Sequence, residues 1–400
     1  MDILPDIADL LNSLAESETR IETRRSGPFT FRLGVDGAAL ALLYQRVLDA
    51  HERFKASPLS HVARQLEREV VAGSIFGTNS IEGGALTEEE TQQVLELDPT
   101  QVREEEQLRA VNLKAAYDVA QQAATTPGWR LEVPFIQKVH AAITQGLTHP
   151  HNQPGVFRDN PKALKTHVGN PAHGGRYQPP QHGHDIETLM QALASWHQEL
   201  VARPIPALIR APLVHYYYEL IHPFWDGNGR VGRVLEAALL QADGFRYAPF
   251  ALARYYLAHI DEYFTLFNRC RRDAKRDVAH PHTPFVRFHL EGMRVSINNL
   301  HDRVNHIVEL LLFNNQIRHL YDKKRLNARQ YTIISQLLAS GSLPLAEMRR
   351  VPWYQTLYLK LTDKTRQRDL HRLRELGLVI VDQREWLWPG LASVQSVLDD

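Results

Sequence analysis

Between two helix-patterned segments of this chain lies His222-Pro-Phe-Trp-Asp-Gly-Asn-Gly-Arg-Val-Gly-Arg233, a stretch whose chemistry leaves little freedom in what can be built around it. Gly227 and Gly229 admit backbone conformations closed to other residues, so successive N–H groups can converge on an anion at the start of the next helix. Arg230 and Arg233, three apart on the first helical turn, share a face and can clamp further phosphate oxygens. Asp226 is placed to hold a magnesium ion bridging those oxygens. His222, just ahead of the loop, carries the side chain best suited to general-base work near neutrality. The pattern is that of a polyphosphate cradle. Gly227-Asn-Gly-Arg-Val-Gly232 also matches the dinucleotide pattern GxGxxG, but HPFWD stands where a hydrophobic strand is needed and a helix ending in DGFRYAP follows, so that fingerprint is rejected.

Helical periodicity dominates the flanks. Ile186, Leu189, Met190, Leu193, Trp196 and Leu200 recur at threes and fours, as do Val231, Val234, Leu235, Ala238 and Leu239, the latter run stopping at Asp243-Gly244. Leu300, Val304, Ile307, Val308, Leu311 and Leu312 form a further stripe. Leu208 to Leu220 is also helical, and Pro212 inside it predicts a start or a bend there. Strand patterns are few: Leu378 to Val381 and Trp386 to Trp388 make a C-terminal hairpin, and Pro154 to Pro180 is an irregular loop with room for a short hairpin. The expected class is mainly α.

The chain has 400 residues, enough for two or three units, and 44% hydrophobic residues, enough for a full core. Its 46 Lys and Arg balance 46 Asp and Glu, so any charge-driven partner must be met locally. Residues 1–105 hold 10 Lys/Arg against 19 Asp/Glu, whereas residues 321–376 hold 12 against 5. Cys270 is the only cysteine, which excludes an internal disulfide and any cysteine-based structural zinc site. No apolar run is long enough to span a bilayer and the first residues carry acids where a secretory signal is basic, so a soluble, cytoplasmic protein with no membrane partner is expected.

The loop resembles the signature of the Fic family, HPFxDGNGRxxR, and meets every specified position, an agreement expected by chance in about one chain in 10⁹. Gly155-Val-Phe-Arg158, Tyr177-Gln-Pro-Pro180, the Leu189 to Trp196 helix and Tyr263-Phe264 are similar to further family elements. The resemblance covers roughly residues 60 to 295. It implies a Fic-type helical bundle with a short β-hairpin flap, and transfer of AMP from ATP to a hydroxyl side chain of a target protein. His222 would deprotonate that hydroxyl and Phe224 would anchor the loop. Asp226 would hold Mg2+. Gly227, Asn228, Gly229, Arg230, Arg233 and Tyr263 would bind ATP. A target segment would add to the flap between Arg158 and Tyr177.

Thr78-Asn-Ser-Ile-Glu-Gly83 resembles the family's inhibitory motif, (S/T)xxxE(G/N). Read from the residues, Thr78 caps a short helix and Gly83-Gly84 ends it, holding Glu82 on a rigid support. The resemblance implies that Glu82 pairs with Arg233 and takes the place of the ATP γ-phosphate.

Leu370, Leu373 and Leu376 line a helix from Thr362 to Leu376 that feeds the C-terminal hairpin, the order of a winged helix-turn-helix, and resembles the winged-helix units that follow Fic domains. Lys364, Arg366, Arg368, Arg372 and Arg374 give it a basic face, interleaved with Asp363, Asp369 and Glu375, that suits DNA phosphates or a protein partner. The expected division is an N-terminal helical region (1–105), a catalytic domain (106–295), a linker helix (296–321) and the winged helix (322–400). A homo-oligomer stays open as a partner arrangement. So do removal of AMP or transfer of another phosphate-linked group at the same site, and an ATP-sensing DNA-binding regulator. His149, His151, His182, His184, His280 and His282 lack metal-ligand spacing and are expected to be plain loop residues.

Overall fold

Apolar stripes at helical spacing need partners, and the computed structural model, which describes residues 18–58, 62–203 and 205–391, satisfies them by stacking helix on helix. The acidic opening residues, from which no secretory signal is expected, lie within residues 1–17, outside the described residues. The chain divides into two units, the first holding residues 1–57 and 63–301 and the second residues 58–62 and 302–400. No described helix is long and apolar enough to cross a membrane.

The first unit opens with a hairpin the periodicity does not announce: β1 (Glu18–Glu22) pairs antiparallel with β2 (Pro28–Arg32), Glu18 opposite Arg32. Its turn is held from outside, since the Asp185 carboxylate accepts from the N–H groups of Arg24, Arg25 and Ser26 at 3.0, 3.0 and 2.8 Å. Then follow α1 (Gly37–Ala56), α2 (Ala63–Ile81), α3 (Glu88–Leu95), α4 (Glu105–Ala124) and α5 (Val133–Thr144). A second hairpin, β3 (Val168–Asn170) with β4 (Gly175–Tyr177), interrupts the long loop. The unit continues with α6 (Gly183–Ala202), α7 (Ala207–Ile221), α8 (Asn228–Ala242), α9 (Ala248–Ala258), α10 (Ile260–Lys275) and the start of α11 (Thr283–Asp322).

Helix α7 lies at the centre, against α6 and α8, and is buried on nearly all sides. Pro212 does not start the helix: α7 begins at Ala207 and runs through the proline. An interior proline costs about 3 kcal/mol. Burial of Leu208, Ile209, Leu213 and Val214, each at 1% exposure or less, offsets that at about 1.5–3 kcal/mol per side chain.

The second unit holds the rest of α11, then α12 (Ala328–Ser340), β5 (Leu343–Pro344), α13 (Leu345–Met348), α14 (Pro352–Leu357), α15 (Asp363–Glu375), β6 (Val379–Val381) and β7 (Trp386–Pro389). The expected hairpin is the antiparallel pair β6–β7, and β5 adds a third strand on the other side of β7. Ile333, Leu337, Tyr354, Tyr358, Leu373 and Leu387 share its core. Asp369 does not interleave with the basic face. It is 2% exposed and accepts from Asn327, Arg329, Gln330 and Tyr358. A buried carboxylate needs such partners.

Candidate active site

Helix α7 delivers His222 by an unusual ending. His222 takes a left-handed conformation, φ 50° and ψ 62°, with its N–H donated to Tyr218 O at 2.9 Å. That conformation costs about 1–2 kcal/mol for a residue with a Cβ, and a buried arginine holds the turn. Arg158 donates from Nε to His222 O at 2.7 Å and from Nη2 to Pro180 O at 2.5 Å, while its N–H bonds Pro223 O at 2.9 Å. Glu219, one turn back on α7, places Oε2 3.4 Å from His222 Nδ1. Burial alone would raise the Glu219 carboxyl, but His222, His215 and Arg233 outweigh it and hold it below the ordinary carboxylate value.

The loop after His222 is closed by its own residues. Asn228 Oδ1 accepts from the Phe224 N–H at 3.0 Å and its Nδ2 donates to Phe224 O at 2.8 Å, so this amide is spent inside the loop. The Phe224 ring stacks on His140 at 3.6 Å between centroids. His140 accepts from the Gly155 N–H on Nδ1 at 2.9 Å and reaches Asp226 O from Nε2 at 3.1 Å, which makes it a neutral Nε2–H tautomer; burial pulls its pKa down to about 4. Gly227, at φ 77°, caps the N-terminus of α8.

Arg230 and Arg233, on the first turns of α8, are both buried. Arg230 Nη2 holds Asp226 Oδ2 at 2.9 Å, and the carboxylate keeps 36% exposure at the lip. Burial would raise the Asp226 carboxyl, but Arg230 and the Gly227 N–H bring it below its usual value. Arg233 Nη2 meets Glu82 Oε1 at 2.5 Å and Thr78 O at 3.2 Å. The Glu82 carboxylate also lies against Gly229, where an added Cβ would stand 2.1 Å from Oε1. An anionic group therefore rests on the N-terminal turn of α8, where unpaired N–H groups and the helix dipole favour negative charge.

Glu82 reaches this place differently from the sequence expectation. Thr78 does not cap a short helix; it lies within the 19-residue α2, fully buried, with Oγ1 3.3 Å from Tyr117 OH. Glu82 follows the last residue of α2, where Gly83 turns at φ 83° and the Gly84 N–H bonds Asn79 O at 2.8 Å. The apolar face of α2 buried against α9 carries the helix on past the threonine, because its side chain finds a partner inward.

Behind Arg233 runs a buried polar chain in which Tyr263 is expected from the sequence and His215, Glu236, Tyr256 and His289 are not. Tyr263 OH sits 3.4 Å from Arg233 Nη1 and 3.0 Å from His215 Nε2, and His215 Nδ1 is 3.1 Å from Glu236 Oε2. Glu236 also receives Tyr256 OH at 3.1 Å and lies 2.9 Å from His289 Nδ1. The carboxylate fixes the Nδ1–H tautomer of His215; Nε2 then accepts from Tyr263, whose oxygen lone pairs are left to face Arg233. The available signal was a His and a Glu inside otherwise apolar helices, residues that must pair when buried.

Glu82, Glu219, His222, Gly229, Arg233 and Tyr263 line one cavity of ≈ 320 Å³, walled on the other side by the β3–β4 hairpin. That hairpin is tied to α10: Asn268 Nδ2 donates to His173 O and Gly175 O at 2.9 and 3.0 Å, and Arg272 Nη1 to Gly174 O at 2.9 Å. Asp226 and Arg230 stand outside this lining, on the other flank of the loop. Among the described residues no cluster of three or more His, Cys, Asp or Glu could hold a metal by itself. His282, among the loop histidines, is buried with Nδ1 3.0 Å from Leu33 O.

Fold and site together define a mainly helical domain organised around an HPFxDGNGRxxR loop. Residues 130–240 match the family model described as the Fic/DOC family. The chain is 28% identical over 190 residues to a protein adenylyltransferase Fic of Drosophila ananassae, covering 46% of this chain and 35% of that one. A namesake from Drosophila grimshawi is 26% identical over 276 residues, 67% of this chain and 51% of the relative. The chain thus spans a third to a half of the length of these curated relatives. Two solved structures share the fold: a Fic domain containing signaling protein from Bacteroides thetaiotaomicron (TM-score 0.54, 18% identity, 65% of this chain and 97% of that chain) and a Fic family protein from Desulfovibrio desulfuricans (0.53, 18%, 88% and 95%).

Proposed function

We propose that this chain transfers AMP from ATP to a hydroxyl side chain of a target protein and that Glu82 restrains the reaction. The observation that carries the reading is the Glu82 carboxylate seated over Gly229 in an ion pair with Arg233: an anion already occupies the place a terminal phosphate would take. ATP enters with its phosphates over Gly227 and Gly229, held by backbone N–H groups and gripped by Arg230 and Arg233, with Tyr263 steadying Arg233. Asn228 shapes the loop through Phe224. His222 takes the proton of the attacking hydroxyl, Glu219 favours the resulting imidazolium, the oxygen bonds to the α-phosphorus, and pyrophosphate leaves. Asp226 at the exposed lip fits a magnesium ion held by one carboxylate and phosphate oxygens, as such ions usually are. That ion, when bound, supplies neutralising charge to the polyphosphate. The target segment adds to the β3–β4 hairpin.

The second unit is a winged helix in this reading, α15 its basic helix and β6–β7 its wing. The test is positional labelling with ATP and magnesium. α-Phosphate label should be retained on protein and γ-phosphate label should not, with more signal from Glu82→Gly. Retained γ-label would replace the reading by a kinase-like one, and loss of a pre-installed α-label from protein would favour AMP removal.

A further inference from the structure

Beside the cavity, sharing Tyr177 with it, lies a second concavity of ≈ 1100 Å³, bounded by β2, the loop ahead of β3, β4 and the end of α10. Its charge is one-sided in a chain whose charges otherwise balance. Arg25, Lys162, Lys165, Arg176, Arg271 and Lys275 line it, with no ion pair to a carboxylate among the described residues. The two acids in the lining, Glu18 and Asp277, are both turned on one further arginine, Arg32, at 3.2 and 3.4 Å. A concave surface of one sign focuses its field and draws the opposite charge.

The groove is joined to the candidate active site through Tyr177, which lines both concavities. Its hydroxyl donates to Glu219 O at 2.6 Å, and on the groove side the Arg271 guanidinium lies 5.0 Å from its ring centroid. Arg271 Nε is buried with no hydrogen-bond partner among the described residues, a donor left for an incoming acceptor.

The aromatic faces that single-stranded nucleic acid would need are taken. Arg271 covers Tyr177, Tyr217 OH is bonded to the Arg32 backbone, and Phe29 packs on Phe31 and Tyr217 at 5.0 and 6.1 Å. Leu164, 37% exposed, and Pro161 and Pro179 instead offer aliphatic surface between the cations. We propose that this groove receives an acidic, leucine-bearing segment of the target protein. The proposal rests on the AMP-transfer reading and names the chemistry of its partner: carboxylates meet the six cations while a neighbouring hydroxyl residue is carried past the flap toward His222.

The full chain, without nucleotide, is titrated into a fluorescein-labelled peptide of repeating Glu-Leu-Glu-Glu at about 50 mM salt and again at about 300 mM. Saturable binding that weakens with salt is expected. Lys162→Glu with Lys165→Glu and Arg176→Glu should weaken it by about tenfold or more, and Lys162→Ala with Lys165→Ala by a smaller factor. Charge reversal at Arg366, Arg368 and Arg372 in the second unit should not change it. Absence of binding at the lower salt, equal binding by the triple variant, or tighter binding of a length-matched single-stranded DNA through the same residues would overturn the proposal. Because the titration needs no ATP, its failure is separable from failure of the transferase reading, which shows as no α-label on any protein.

Discussion

Arginines do opposite things in the two units. In the first, the side chains of Arg230 and Arg233 are 2% and 3% exposed and each is matched by a carboxylate brought from elsewhere in the loop or the chain, Asp226 and Glu82. In the second, Arg366 and Arg372 are 27% and 40% exposed and pair with Asp363 and Glu375 three residues away on the same helix. A guanidinium taken out of water must be met by partners, so its surroundings become a built site. One left at the surface is worth little to stability and stays free to trade its neighbour for another anion. The comparison sets the loop before α8 apart as a built site of paired, buried arginines and α15 as a solvated face.

The hardest blow to the built site is removal of its base. His222→Ala should lower α-label transfer by about 10² to 10⁴. His222→Asn, which tolerates the left-handed conformation at this position, should do the same with less loss of stability, because Arg158 grips the main-chain carbonyl and not the ring. Melting temperature read beside labelling rate separates the two effects; wild-type labelling in either variant removes His222 from the chemistry.

Glu82→Gly should move activity and stability in opposite directions. Labelling, including self-labelling, should rise by about tenfold or more as Arg233 becomes available to phosphate. Stability should fall by about 1–3 kcal/mol, less than for a fully enclosed pair because Glu82 keeps 32% exposure. Added ATP should then raise the melting temperature more in the variant than in the parent chain. Unchanged activity and unchanged ATP affinity together would return Glu82 to the class of ordinary surface carboxylates, like those of α15.

Tyr263→Phe keeps the ring but removes the hydroxyl between Arg233 and His215. KM for ATP should rise several-fold with kcat nearly unchanged, because the lost contact steadies a binding group and touches no reacting atom. A fall in kcat alone would place Tyr263 in the chemical step.

Protons offer a gentler probe of the same burial. His140, His197 and His282 are held neutral by burial, their pKa values pulled down to about 4, 3 and 4. The unfolded chain takes up these protons as pH falls through the ordinary histidine value while the folded chain does not. Each histidine therefore contributes stability that is present above about pH 6.5 and is lost toward pH 4, at up to about 1.4 kcal/mol per pH unit. Denaturant midpoints across that range check the slope; a flat profile would mean that these rings are open to solvent.

What was legible in the sequence was chemistry written in consecutive residues. The spacing of Gly227, Gly229, Arg230 and Arg233 is local, and helix α8 begins where the pattern places it. Glu82 was legible only by resemblance, since the pair with Arg233 spans 151 positions. His215 and Glu236 escaped notice because one polar letter in an apolar helix gives no hint of which other helix supplies its partner. The β1–β2 hairpin was missed because it depends on Asp185, distant in sequence, to hold its turn. The two-residue strand β5 is too short to carry a pattern.

The smallest expected effect belongs to α15. If its cations meet duplex DNA, binding is weak and falls steeply with salt, because phosphate contacts act by releasing counterions. Burial of Asp369 makes the face more uniformly basic than the sequence alone implies, whereas Arg366 and Arg372 each bring a carboxylate along. Arg368→Ala should therefore reduce the log-log salt slope by about 1, and Arg366→Ala or Arg372→Ala by less, since each of those must first give up Asp363 or Glu375. Equal slopes for all three would show that the intrahelical pairs cost nothing to break. No retention on DNA near 50 mM salt would assign the face to a protein partner, and the excess of acids in residues 1–105, 19 against 10 bases, makes a second copy of this chain the first partner to test.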